Sequence, residues 1–392
     1  MTNSYAVELT RALVRIDTVN PPGNEARAIG LLRAEMEPLG FRCAEVPLGP
    51  GRSSLVARAG GAGRVLAFTG HVDTVPLGLR DWSVDPFGGT IIDGRLYGRG
   101  SSDMKSGVAA FIAAARDYGR RDAGENGLLL VITAGEETGC DGARAVAQTS
   151  GLLGRADALL IAEPTANLPL VGHKGALWLE AAADGVTAHG SMPQNGVNAV
   201  VKAAELVMRL QDFDFNHARH PVLGAPTLSV GTFHGGININ SVPDRAVVSL
   251  DIRTVPGQSH DALRAQMSTF LGAETRLSTL LDLPAIWTSP EHPWVRRVCA
   301  LAHDIAGAGV EPRGVCYFTD GSVLAAALGA PPAMILGPGE PDLAHQTDEY
   351  CRVDRIDEAT ALYAAILRDW YGEALRGPGP VAGQPADGRI AP

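Results

Sequence analysis

Apolar positions along this chain change rhythm several times, and the rhythm predicts the elements. Ile29, Leu32, Met36 and Leu39 recur at helical spacing behind a candidate cap at Asn24. Before them, residues 1–25 interleave Glu8, Arg11, Arg15 and Asp17 with apolar side chains and read as an amphipathic helix. Short apolar runs at 54–59, 65–69, 128–133 and 158–162 read as strands, with helical patterns at 107–118 and 142–148 between them. Alternating strands and helices imply an α/β layer structure with a mostly parallel central sheet. Residues 90–97 carry Asp93-Gly94 between apolar positions, a hairpin signal.

The rhythm shifts at Lys174. Strand-like runs at 176–183, 227–233 and 246–253 alternate with helical patterns at 198–210 and 260–271. That β-α-β-β-α order resembles a split, ferredoxin-like α+β unit inserted in the first domain. The α/β pattern resumes after 283, with helices at 294–306 and 321–328 and a strand at 333–336. The expected organisation is a discontinuous domain of 1–173 and 283–371, an inserted domain of 174–282, and a mobile Gly/Pro/Ala-rich tail at 372–392.

Composition narrows the functional classes. The 392 residues are 45 % hydrophobic and 19 % charged, an ordinary globular mixture. The net charge of −10 argues against a nucleic-acid binder and against a polybasic membrane anchor. No uncharged apolar run reaches membrane-spanning length, and residues 1–25 do not read as a signal peptide. Five scattered cysteines without a CxxC pair fit a reducing cytoplasm.

Four apolar runs lead into residues that bind metals. The run at 65–69 leads to His71 and Asp73, 128–133 to Glu136 and Glu137, 158–162 to Glu163, and 333–336 to His345. In open α/β sheets, sites form at the carboxyl ends of strands, and four segments obeying that rule are hard to attribute to chance. Singly, each residue keeps a bland alternative: a surface loop for His71 and His345, a solvated turn for Glu136-Glu137, and a helix cap for Asp103. Two histidines with carboxylates suit zinc, with cobalt or manganese as substitutes. Two ions sharing a carboxylate lie about 3.5–4 Å apart and lower the pKa of a bridging water. A dinucleotide-binding reading of Gly98-Arg99-Gly100 is set aside, because Asp103 stands at the final glycine position.

Together, five segments resemble the co-catalytic zinc peptidase and deacylase family. That family contains acetylornithine deacetylase, succinyl-diaminopimelate desuccinylase, aminoacylase and glutamate carboxypeptidase. The segments are Gly70-His71-Val72-Asp73-Thr74-Val75-Pro76, Tyr97 to Lys105, Gly135-Glu136-Glu137, Glu163-Pro164-Thr165 and Ala344-His345-Gln346-Thr347-Asp348-Glu349-Tyr350, in family order. The resemblance implies a zinc-exopeptidase-like catalytic domain with a ferredoxin-like lid that also dimerises. It implies that His71 and Glu163 bind one zinc and Glu137 and His345 the other, with Asp103 bridging before a cis peptide bond. Asp73 would orient His71, and Glu136 would be the general base. In the lid, His189 would stabilise the oxyanion in a neighbouring subunit's site. Asn240 and Arg253 would contact substrate, and so would Thr319, where Phe318 replaces a common glycine.

The resemblance thus implies hydrolysis of a small N-acyl amino acid by a dizinc enzyme, a cytoplasmic homodimer. Gly172-His173-Lys174-Gly175 and Gly337-Pro338-Gly339 look most like the acetylornithine deacetylase branch. Desuccinylation of a diaminopimelate derivative, and carboxypeptidase or dipeptidase activity, are the alternatives within the family. A catalytically inactive binding protein is the alternative outside it, and the complete ligand set with Glu136 argues against that.

Overall fold

The run Gly127–Thr133 is buried at every position, as expected of a strand covered on both faces. It lies inside a six-stranded sheet. The order across the sheet is Arg42–Gly49, Arg52–Gly60, Gly127–Thr133, Val65–His71, Ala158–Ile161 and Ala333–Ile335. The last four strands are mutually parallel, and the first two add an antiparallel edge. This computed structural model describes residues 3–61, 63–120, 126–309 and 311–372. All but one residue of the expected tail lies outside them.

The described residues form two compact units. One runs from the N-terminus to Gly172 and takes in Trp287–Arg313 and the chain from Thr319 onward. The other is His173–Ile286 with Gly314–Phe318.

In the first unit, the helix Ser106–Ala115 is almost wholly apolar and buried. It packs with the helices Tyr5–Val14 and Val353–Trp370. Phe68 of the sheet stacks on Phe111 at 3.8 Å between ring centroids, and Tyr363 meets Phe111 at 5.4 Å. The Tyr363 hydroxyl donates to the Leu336 carbonyl at 2.5 Å, so this buried phenol is satisfied. The hairpin Thr90–Ile92 and Arg95–Tyr97 forms as read, and Tyr350–Arg352 joins it as a third strand.

The second unit is a four-stranded antiparallel sheet ordered Thr227–Gly235, Arg245–Thr254, Gly175–Asp184 and Thr275–Leu283. Arg245–Thr254 alternates buried and less buried positions along its length, the signature of a sheet covered on one face. The helices Ala199–Leu210 and His260–Leu271 supply that cover through Leu206, Leu263 and Met267. Asn198 and Ser259 cap them with their side chains. Strand order and connectivity are those of the ferredoxin-like split β-α-β unit.

Several elements differ from the sequence expectation. The N-terminal helix is only Tyr5–Val14, capped by Ser4. Asn24 stands at the N-cap of Glu25–Met36, but its side chain makes no capping bond. The strands Arg42–Gly49 and Thr275–Leu283 and the 18-residue helix Val353–Trp370 were not foreseen. No helix among the described residues is long and apolar enough to cross a membrane.

Candidate metal centre

Parallel register brings the chemistry to one edge of the sheet. His71 is the last residue of its strand and pairs with Thr133, while Thr69 pairs with Ile161. Continuing that register two residues sets Glu163 level with His71. Glu136 and Glu137 follow Thr133 after a turn in which Gly135 takes φ 71°, a backbone region suited to glycine. Gly337, beyond the last parallel strand, lies where a Cβ would come within 2.2 Å of the Ala162 carbonyl. Only glycine lets that loop pass so near Glu163.

Five expected ligands converge. His71 Nε2 lies 3.3 Å from Asp103 Oδ1 and 3.8 Å from Glu163 Oε2. His345 Nε2 lies 3.3 Å from Asp103 Oδ2 and 3.1 Å from Glu137 Oε2. Asp103 therefore turns one oxygen toward each histidine. Its peptide bond to Met104 is cis. In each triad, His71–Asp103–Glu163 and Asp103–Glu137–His345, one candidate donor atom per residue lies within 4.8 Å of the others.

These residues fit a pair of divalent cations. Asp103 Oδ1 and Glu137 Oε1 are buried with no hydrogen-bond partner among the described residues, and such oxygens are costly unless a cation satisfies them. Burial, followed by neighbouring carboxylates, pushes the Glu136 and Glu163 carboxyls well above the usual range, with the nearby His71 pulling the other way. Burial likewise raises Asp320 to about 6. His345 is pushed up to about 10 by its contacts with Asp103 and Glu137. Burial opposes the charged form of Asp103, yet the two neighbouring imidazoles hold that carboxyl below the ordinary range. His345 and Asp348 both sit at positive φ, 65° and 60°, backbone conformations uncommon outside glycine.

A cation bound here would compete with protons on the groups whose pKa is raised. Groups whose pKa is raised hold them to higher pH, so affinity is greatest above those values and is lost as pH falls. Zinc affinity of the chelator-stripped protein should drop about 100-fold between pH 8 and pH 6 for each proton displaced. Calorimetry in buffers of different ionisation enthalpy reads the proton count, and a pH-independent affinity would contradict this description.

Asp73 joins two parts of the centre. His71 Nδ1 lies 3.0 Å from the Asp73 main-chain oxygen, with the carboxylate at 3.6 Å. Donation to that oxygen leaves Nε2 as the metal-facing nitrogen. The carboxylate is occupied elsewhere: Oδ1 accepts the Glu136 amide and Oδ2 accepts the Glu137 amide and Asn20 Nδ2. Asp73 thus holds the Glu136-Glu137 turn as well as the histidine. Sequence reasoning passed over Asn20, although Asn20-Pro21-Pro22 was an obvious break in the N-terminal pattern. It also passed over Asp320, a buried carboxylate bonded to the Thr133 hydroxyl.

The remaining expected residues are Thr319, His189, Asn240 and Arg253. Thr319 is fully buried, and its hydroxyl accepts the Gly321 amide at the start of a helix. The other three belong to the second unit. His189 Nδ1 accepts from the Ser191 amide at 3.2 Å and lies 2.7 Å from its hydroxyl. Gly190 donates to the Asn240 carbonyl, so the His189 and Asn240 loops are joined. Arg253 is forked onto Asp251, Nε to Oδ1 at 2.9 Å and Nη2 to Oδ2 at 3.0 Å. Arg253 pairs with Ala176, whereas the His189 and Asn240 loops leave the opposite end of the same sheet, beyond Asp184 and Arg245. The strands separate those ends by roughly 27 Å.

Comparison with known proteins places this geometry in context. The model of peptidase family M20/M25/M40 matches residues 67–369. A succinyl-diaminopimelate desuccinylase of Cereibacter sphaeroides (strain KD131 / KCTC 12085) is 32 % identical over 384 residues, covering 93 % of this chain and 98 % of the relative. An acetylornithine deacetylase of Vibrio atlanticus (strain LGP32) is 30 % identical over 388 residues, covering 93 % and 98 %. The structure of an M20 family metallo-carboxypeptidase from Sulfolobus solfataricus superposes with a TM-score of 0.76 at 18 % identity, covering 94 % of this chain and 99 % of that one.

Proposed function

The chain belongs to peptidase family M20/M25/M40, and from that premise we propose a metal-dependent amidohydrolase that cleaves the amide of a small N-acyl amino acid. The observation that carries the reading is Asp103 set between two histidines, each with a further carboxylate. His71, Asp103 and Glu163 would hold one ion, and Asp103, Glu137 and His345 the other. Nitrogen and carboxylate donors of this kind favour zinc, with cobalt or manganese as substitutes. When bound, such a pair polarises the scissile carbonyl and acidifies water.

Glu136 supplies the proton chemistry. It is buried beside the ligands, its amide is held by Asp73, and burial raises its carboxyl above the usual carboxylate range, which makes it a stronger proton acceptor. It takes a proton from the attacking water and passes it to the leaving nitrogen. Asp73 keeps His71 in one tautomer and holds the turn that carries the base. In this proposal Arg253, braced by Asp251, presents its outer guanidinium edge to the substrate carboxylate. His189 stabilises the oxyanion, and Asn240 contacts substrate from the adjoining loop. Thr319, whose hydroxyl accepts the Gly321 amide, would contact substrate from the loop before its helix. Five unpaired thiols fit placement in a reducing cytoplasm.

Relatives of both activities stand at nearly the same identity, so the acyl group is the open choice. The deciding experiment is hydrolysis of N-acetylornithine, N-acetylmethionine, N-succinyl-diaminopimelate and several dipeptides by zinc- or cobalt-loaded protein, with and without chelator. Chelator-sensitive turnover of one acyl amino acid is expected. Turnover of dipeptides alone would replace the deacylase reading with a peptidase one.

The homodimer belongs to the same proposal. Thr227–Gly235 is an edge strand of the second unit, and Phe233 on it, with Val201 and Met208 on the helix Ala199–Leu210, is exposed. A second copy would cover these residues. The distance between Arg253 and the His189 loop supports His189 serving a neighbouring chain. Light scattering should give twice the chain mass. Changing both Met208 and Phe233 to Glu should give a monomer about 100-fold less active, the typical loss for one oxyanion donor. A fully active monomer would contradict this assignment.

A further inference from the structure

Arg99 and Glu349 are 250 positions apart and almost completely buried, at 1 % and 0 % exposure. Arg99 Nη1 donates to Glu349 Oε2 at 2.7 Å. The same carboxylate accepts three consecutive-loop amides: Gly100 on Oε2 at 3.0 Å, and Ser102 and Asp103 on Oε1 at 2.8 and 3.0 Å. Arg99 also reaches outward. Nη1 donates to the Gln346 carbonyl at 3.2 Å, and Nη2 to the Pro76 carbonyl at 3.2 Å. Those acceptors lie just after His345 and a few residues after His71 and Asp73.

A buried ion pair gives little net stability against an apolar substitute, so its place in the structure calls for another reason. This one ties together three loops that carry candidate ligands. We infer that Arg99 and Glu349 are positioning residues, a clamp that presets Asp103 and His345 for the second metal ion. The inference rests on the two-metal reading above.

The two ion sites depend on the clamp unequally. His71 ends a strand, and Glu163 lies two residues beyond one, so the sheet sets both. His345 sits on an exposed loop at positive φ, four residues before Glu349. The clamp joins the Tyr350–Tyr97 strand pairing and the Ser102 bond to the Tyr350 carbonyl in fixing that loop against Asp103. Both oxygens of Glu349 accept amides, so Glu349→Gln places an NH₂ against an N–H whichever way it is turned. Arg99→Lys keeps the charge but loses the fork that reaches two carbonyls.

The test is stepwise cobalt or zinc titration of stripped protein, read by calorimetry and by cobalt absorption, with circular dichroism as the check on folding. The wild-type protein should bind two ions. In E349Q the weaker-binding step, assigned to Asp103, Glu137 and His345, should lose about 10–100-fold in affinity, and the other step less. R99K should shift the same step in the same direction. Wild-type binding by either folded variant overturns the clamp, and so does equal weakening of both steps. No metal binding by the wild-type protein overturns the two-metal reading instead. If neither variant folds, hydrogen exchange on stripped wild-type protein decides. Protected amides at Gly100, Ser102 and Asp103 support a clamp preset without metal, and open-loop exchange overturns it.

Discussion

Glu136→Gln should lower kcat by about 10²–10⁴-fold, the usual contribution of a positioned acid–base group, while two metal ions per chain stay bound. The reason lies in how the turn is built. Glu136 and Glu137 are neighbours held by one carboxylate, Asp73 Oδ1 on the first amide and Oδ2 on the second. Only Glu137 points to a histidine, 3.1 Å from His345 Nε2. Glu136 lies buried near His71, Glu163 and Asp320 without being a member of either candidate triad. The isosteric amide fills the same space and leaves the triads intact, so metal content separates loss of the base from loss of the site. Near wild-type turnover by a metal-replete variant would move the base elsewhere. Loss of metal together with activity would make Glu136 a ligand.

Asp103→Ala should be the most damaging change. It removes the one residue common to both triads, along with the oxygens that face His71 and His345. Metal polarisation of a carbonyl is worth several kcal/mol, so activity should fall at least ~10³-fold. A second readout does not depend on turnover. Zinc held by the folded chain alone should raise its melting temperature, and the variant should lose most of that rise. A variant that still takes up two ions and melts like zinc-loaded wild type would show that Asp103 does not bridge.

The strand ends were the legible part of this site. Each of four segments announced itself locally, because an apolar run breaking into His71, Glu136-Glu137, Glu163 or His345 is visible within about ten residues. The parallel sheet then does what such a sheet must and gathers the carboxyl ends at one edge. The inserted unit was legible through its change of period. Other features had weaker or non-local signals. Arg42–Gly49 is an edge strand with few buried positions, so its alternation is faint. Thr275–Leu283 is likewise an edge strand with only two buried positions. The helix Val353–Trp370 buries Ile356, Ala359, Leu362, Tyr363 and Ile366 at helical spacing. That periodic signal is local and begins three residues after the motif that ends at Tyr350. The Arg99–Glu349 clamp had no local signal at all. Its partners are 250 positions apart, and only the folded chain shows that one carboxylate gathers the Gly100, Ser102 and Asp103 amides.

The most direct test of the central claim is anomalous diffraction at the zinc edge from crystals of the zinc-loaded protein. Two peaks per chain are expected, one among His71, Asp103 and Glu163 and the other among Asp103, Glu137 and His345. A single peak, or peaks away from Asp103, would contradict a two-metal centre bridged by that residue.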